Sequence, residues 1–109
     1  MNTMTLREVC NTFDVSRRAV QGYEKAGLIT PSGKNERGYL LYDGKAQKRI
    51  QQIRLFQQIG FSLKEIGEII DVDDSVRNMA LERQLDKLRE EERNIEVLIQ
   101  KIYRLINKS

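Results

Sequence analysis

Basic side chains cluster at two points of the first forty residues, where they could bind a polyanion. Arg17 and Arg18 begin a segment with helical periodicity, and Lys34, Asn35 and Arg37 lie in a polar turn that contains two glycines. Guanidinium and ammonium groups bind phosphate oxygens, and an arginine can also donate to O6 and N7 of guanine. Both clusters are therefore candidates for contact with double-stranded DNA, although a solvated surface would have the same composition.

Six further side chains complete the predicted DNA-binding set. Gln21 lies one helical turn beyond the arginine pair, where an amide can pair with adenine or bond to a phosphate. Tyr39 and Tyr42 alternate with two leucines in a β-prone segment, so at least one of them is expected to pack. The remaining members are Lys25, Lys45 and Tyr23; the tyrosine is included only through a family resemblance, and its alternative is a half-buried packing residue.

The composition argues against catalysis and against a bound cofactor or metal. The 109 residues contain no histidine and a single cysteine, Cys10, so the usual general base, a disulfide framework and a multi-cysteine metal site are missing. No phosphate-binding glycine loop and no nucleophile–base pair stand out. We predict no enzyme activity, no cofactor and no metal, and we expect Cys10 to be an inert buried thiol.

Charge is divided unevenly along the chain. Residues 1–62 carry ten Lys/Arg against five Asp/Glu, a net charge of +5, whereas residues 63–109 carry nine against eleven, a net charge of −2. This division indicates two tasks. Together with the predicted elements, it leads us to expect a winged helix-turn-helix DNA-binding domain at 1–72 and a coiled-coil dimerisation helix at 73–109. No apolar run approaches the ~18 residues of a membrane span, and no signal-peptide pattern is present, so we expect a cytoplasmic protein without membrane contact.

The elements that must position the basic clusters begin with a helix-turn-helix. Thr5–Glu8 has the capping-box pattern, and apolar residues then recur at helical spacing. Asp14 suits a left-handed turn, Ser16 can cap a second helix, and Gly27 can end it. Two short helices joined by about three residues are typical of a helix-turn-helix.

A small hairpin, or wing, is predicted to follow. The β-prone segment Tyr39–Tyr42 is expected to pair with Leu28–Thr30 across the polar turn. Asp43 can then cap a third helix that ends at Gly60, and a second capping box, Ser62–Glu65, predicts a fourth helix.

The stretch from about Asp74 to Asn107 contains neither proline nor glycine and predicts one helix, roughly 50 Å long at 1.5 Å per residue. Its apolar residues follow alternating steps of four and three, which is typical of a coiled coil. Such a seam is too long for a small domain to bury, so we predict a homodimer; the alternative is a helix folded back on its own domain. The seam consists of Leu81, Leu85, Leu88, Glu92, Ile95, Ile99, Ile102 and Ile106.

In its order of elements and in several motifs the chain resembles the MerR family of bacterial transcription regulators. The resemblance runs from about residue 5 to 70, and it rests on the spacing of Tyr23-Glu24, Gly27-Leu28-Ile29 and Gly38-Tyr39-x-x-Tyr42, and on the run Gly60-Phe61-Ser62-Leu63-Lys64-Glu65-Ile66. It implies an all-α fold with a small β wing, in which a winged helix-turn-helix domain precedes a long dimerisation helix that forms an antiparallel coiled coil. It also implies binding to a palindromic promoter element, with DNA distortion in many members, and RNA polymerase as a further partner. Activation and repression both remain open.

Two arginines that the family pattern leads us to expect are absent. Gln21-Gly22-Tyr23-Glu24 stands where the family commonly has Arg-Tyr-Tyr-Glu, and Gly38-Tyr39-Leu40 stands where it has Gly-Tyr-Arg. The departures leave two alternatives open, a protein-interaction function and an architectural one, as in excisionase-like or chromosome-organising relatives. Sensing members continue beyond the coil, so we expect a short member without an effector domain. Glu92 leaves the register of the coil open.

Overall fold

The computed structural model describes residues 2–108, in which helices dominate and three very short strands form one sheet. The elements in chain order are β1 Met4–Thr5, α1 Leu6–Phe13, α2 Arg17–Lys25, β2 Gly33–Lys34, β3 Leu40–Tyr42, α3 Gly44–Ile59, α4 Leu63–Ile69 and α5 Asp74–Asn107. The chain divides into two compact units, Met1–Asp71 and Val72–Ser109. The predicted fold class, helical with a small wing and a long final helix, is confirmed.

Both capping boxes form as predicted. The Thr5 hydroxyl accepts from the Glu8 amide at 3.3 Å, and the Glu8 carboxylate accepts from the Thr5 amide at 3.0 Å. Ser62 and Glu65 make the same reciprocal pair at 3.0 and 3.1 Å. Amide groups that lack a partner inside the helix are thereby bonded, which fixes where α1 and α4 begin.

The turn between α1 and α2 depends on Asp14. Its backbone lies in the left-handed region, with φ 50° and ψ 52°, a conformation that aspartate tolerates better than most residues. Ser16 then caps α2 by accepting from the Ala19 amide at 3.0 Å. The predicted helix-turn-helix is confirmed in its elements and in its turn chemistry.

The wing differs from the prediction in its strand partners. β3 lies in the centre of the sheet and pairs antiparallel with β1, where Met4 faces Tyr42, and with β2, where Lys34 faces Leu40. The predicted pairing of Leu28–Thr30 with β3 is therefore wrong. Leu28 and Ile29 are buried in the core instead, so their apolar character reflects packing and not a ladder.

The core of the first unit joins the helix-turn-helix to the wing and to the helices after it. Its fully buried side chains come from α1, α2, β3, α3 and α4, and they are Val9, Val20, Tyr23, Tyr42, Ile50, Ile53 and Ile66. Cys10 is half-buried, so the expectation of a buried thiol is corrected. Its place on α1 at the edge of this core leaves part of the side chain uncovered.

The second unit consists mainly of α5, whose first turn Asp73 caps by accepting from the Val76 amide at 3.0 Å. Along the predicted seam, Leu81 is half-buried, Glu92 is exposed, and the remaining apolar members are between 38% and 61% exposed. Within residues 2–108, no helix is long and apolar enough to cross a membrane. The same residues contain no group of three or more His, Cys, Asp or Glu side chains placed to hold a metal ion.

Candidate nucleic-acid interface

The first turn of α2 presents positive charge and no acidic side chain. Arg17 and Arg18 occupy its first two positions and are both exposed. The amide ends of a helix carry partial positive charge, which adds to the field of the two guanidinium groups. This helix end is therefore suited to a phosphate oxygen or to the acceptor edge of a base.

A cleft of about 710 Å³ opens between the starts of α1 and α2 and the wing. It brings together five of the side chains predicted to contact DNA, namely Arg17, Gln21, Asn35, Arg37 and Tyr39. The other lining residues are Thr5, Leu6, Arg7, Gly38 and Leu40. We call this feature the basic cleft, because three arginines contribute to its walls.

The arginines of the basic cleft differ from two other arginines of the same unit in their ion pairs. Arg7, Arg17 and Arg37 make no ion pair with any carboxylate in the described part of the chain. Arg49 and Arg54, by contrast, pair with Asp71 and Asp14. The cleft charges are thus available to an external anion, whereas Arg49 is held by Asp71 and by the Leu28 carbonyl.

Asn35 organises the turn of the wing. Its side-chain oxygen accepts from the backbone amides of Arg37 and Tyr39, both at 3.0 Å. Its backbone amide donates to the Tyr39 carbonyl, also at 3.0 Å. The residue is half-buried. Its carboxamide oxygen is therefore occupied within the wing, and the residue holds Arg37 and Tyr39 in place at the cleft.

Tyr23 and Tyr42 lie in the core, which corrects their prediction as DNA-contacting residues. The Tyr23 hydroxyl donates to the Gln57 carboxamide oxygen at 2.6 Å, and the Tyr42 hydroxyl donates to the Glu24 carboxylate. Burial raises the pKa of both phenols, and for Tyr42 the bond to Glu24 raises it further. Tyr42 has no exposed surface and Tyr23 has 1%, so neither ring can face a phosphate. They join α2 to its neighbours instead.

The other predicted residues lie outside the basic cleft. Arg18, Lys25 and Lys34 are exposed but do not line it. Lys45 borders a separate depression of about 400 Å³, together with Thr30 and Arg49. Tyr39, with 57% of its surface exposed, is the predicted tyrosine that stays accessible.

Arg7 is the charged residue of the cleft that the sequence prediction missed. Its exposure follows from the helical phase of α1, in which Val9 faces the core. A usable signal was present, because a cation at the second position of a helix opposes the helix dipole and contributes nothing obvious to stability. Its approach to the wing, thirty residues later, depends on the tertiary structure.

Two family comparisons cover the chain almost completely. Residues 4–72 match the MerR HTH family regulatory protein, and residues 47–108 match the MerR DNA-binding region. The HTH-type transcriptional activator mta of Bacillus subtilis is 34% identical over 101 residues, which are 93% of this chain and 39% of that protein. The transcriptional regulator CueR of Escherichia coli O157:H7 is 34% identical over 98 residues, 87% of this chain and 73% of that protein.

Solved structures agree with these comparisons. The N-terminal part of the B. subtilis multidrug transporter activator superimposes with a TM-score of 0.77 at 33% identity, covering 94% of this chain and 97% of that one. A MerR-family regulator from Bacillus cereus superimposes with a TM-score of 0.78 at 31% identity, covering 91% and 76%. The chain belongs to the MerR family and carries the DNA-binding domain of a MerR-family transcriptional regulator.

Proposed function

We propose that the chain acts as a dimer that binds a palindromic promoter element, with the basic cleft and the start of α2 of each protomer on one half-site. The observation that carries the proposal is the cleft itself, which is lined by three arginines from α1, α2 and the wing that make no ion pair within residues 2–108. A groove of this kind fits a phosphate backbone, while the adjacent start of α2 enters the major groove.

Division of labour between the two surfaces follows from their positions. Arg18 lies on the exposed first turn of α2 outside the basic cleft, where a side chain can reach base edges. Gln21, one turn further on, lines the cleft and can reach a base edge or a phosphate. Arg37, Lys34 and Tyr39 belong to the wing and are placed for backbone contacts, which set register without carrying sequence information. In HiNmlR, a family regulator of the same fold whose structure covers 91% of this chain, promoter DNA is bound. We propose that this chain binds promoter DNA as well.

Dimerisation is proposed through the seam on α5. Large apolar side chains such as Ile95, Ile99 and Ile102 remain between 38% and 56% exposed in a single protomer, over a helix of 34 residues. An apolar stripe of that length is covered most simply by the same stripe of a second copy. Two recognition helices held in this way would contact half-sites about one helical turn, or a multiple of it, apart.

The seam can be tested against a neighbouring apolar residue. Ile99→Asp places a charge in the seam and should convert the protein to a monomer in sedimentation at micromolar concentration. Val97→Asp is the matched control, because Val97 is also exposed (53%) but lies outside the seam. The wild type and the control should sediment at roughly twice the chain mass of 12.7 kDa. A monomeric wild type would refute the dimer.

The proposed DNA specificity is tested by selecting bound duplexes from a randomised pool with the full chain. We expect an inverted repeat to emerge, and to bind at least about 10³-fold more tightly than a scrambled duplex at physiological salt. Equal affinities would indicate an architectural protein. No binding even at low salt would indicate a protein-interaction function and would refute the proposal.

A further inference from the structure

Arg7 lies at the second position of α1 and makes no ion pair with the residues that the structure describes. Its neighbour Glu8 accepts from the Thr5 amide in the capping box. The positive end of the helix dipole disfavours a cation at this place. Local energetics therefore give no reason for an arginine here.

The tertiary structure supplies a reason. Arg7 lines the basic cleft together with Arg17 from α2 and Arg37 from the wing. The same cleft is lined by Gln21 and Leu40, the two positions where the family pattern led us to expect arginine. Positions 21 and 40 therefore carry no cation, although Arg17 and Arg37 lie nearby in the same cleft, and Arg7 adds a cation from a third element, α1.

We propose that Arg7 binds a DNA phosphate in the basic cleft and replaces, from a different element, charge that the cleft lacks at positions 21 and 40. The inference rests on the proposed function. A guanidinium presents two parallel N–H donors to a phosphate, so it gives both charge and a defined geometry. The contact would fix the phosphate backbone between α1 and the wing and would be independent of base sequence.

Arg7→Ala is the direct test, measured as the affinity for one selected duplex and one scrambled duplex between 0.05 and 0.5 M salt. The slope of log affinity against log salt concentration becomes less negative by about 0.9 for each lost phosphate contact. A dimer that loses two contacts should therefore show a slope less negative by about 1.8. This corresponds to about 60-fold weaker binding at 0.1 M salt, equal for both duplexes, with the loss shrinking as salt rises. Lys87→Ala is the charge-matched control on exposed α5 surface and should leave slope and affinity unchanged.

Two further variants separate a phosphate contact from a structural effect. Arg7→Lys should keep most of the wild-type salt slope, because lysine retains the cation. The double variant Arg7→Ala with Gln21→Arg should regain the slope that Arg7→Ala loses, because it returns a cation to the same cleft. The thermal midpoint of Arg7→Ala should equal or exceed that of the wild type. If the wild type binds DNA and Arg7→Ala shows the same salt slope, this inference alone is overturned. It is also overturned if Arg7→Ala loses no more affinity than Lys87→Ala. A wild type that binds no DNA would overturn both this inference and the proposed function.

Discussion

The hydroxyl of Tyr42 joins β3 to α2, and removing it should cost a measurable part of the stability. The side chain is fully buried in β3, and its hydroxyl donates to the carboxylate of Glu24 near the end of α2. Burial holds the phenol in its neutral, donating form by raising its pKa. Tyr42→Phe deletes only the oxygen and keeps the ring in the core.

The magnitude follows from the bond and from its surroundings. A hydrogen bond to a charged group contributes about 1.5–3 kcal/mol, and the partial exposure of Glu24 places this one near the lower end, at about 1.5 kcal/mol. With a urea m-value of about 1.5 kcal/mol/M, the unfolding midpoint should fall by about 1 M. The assay is equilibrium urea unfolding followed by circular dichroism, with all variants at one protein concentration because a dimer's stability depends on it.

Tyr39→Phe is the matched control. Its ring is 57% exposed and its hydroxyl bonds to nothing in the part of the chain that the structure describes, so its loss should cost less than ~0.5 kcal/mol. Glu24→Gln keeps a neutral acceptor and should fall between the two. Equal midpoints for Tyr42→Phe and Tyr39→Phe would refute the reasoning, since the two variants would then differ in burial but not in stability.

Three other substitutions test the fold more widely. Gly22→Ala should raise the free energy of unfolding by about 1 kcal/mol in urea titrations, because an added Cβ meets no heavy atom within 4 Å and glycine is costly in mid-helix; a loss of stability would show a clash. Hydrogen bonds from Thr5 lower the pKa of the Glu8 carboxyl below its ordinary value of 4.5. Glu8 therefore stabilises the fold above pH 4.5, and this stabilisation is lost as the pH falls through the lowered pKa of the folded state. The difference in urea-unfolding midpoint between pH 6.5 and pH 3.5 should therefore be smaller for Glu8→Gln than for the wild type. An equal difference would contradict the capping role. Arg49→Ala should cost about 1–2 kcal/mol, because the guanidinium binds both Asp71 and the Leu28 carbonyl, and a cost below ~0.5 kcal/mol in the same titration would contradict this.

Local signals along the chain predicted the helices well. The capping boxes, Asp43 before α3 and Gly60 after it each act within a few residues, and all four helix boundaries that depend on them are confirmed. Gly60 takes a φ of 118°, which few other residues adopt, so its position in the sequence marked the end of α3 directly.

Long-range pairing could not be predicted in the same way. β1 has two residues, too few to show the alternation that marks a strand, and its partner Tyr42 lies almost forty residues later. The apolar Leu28 and Ile29 carried a stronger strand signal and are core residues. Burial of Tyr42 and the place of Arg7 at the cleft both follow from this sheet, so the same missing contact hid them.

The salt dependence of DNA binding tests the central claim most directly. Four basic side chains per protomer, Arg7, Arg17, Lys34 and Arg37, are exposed at or beside the basic cleft and make no ion pair within the described residues. If each neutralises one phosphate, a dimer on its selected duplex should show a log–log slope near −7, by ~0.9 per phosphate. The double variant Arg17→Ala with Arg37→Ala should reduce that slope to between about −3 and −4. A wild-type slope shallower than about −2, or a slope that the double variant leaves unchanged, would contradict the assignment of this cleft to DNA.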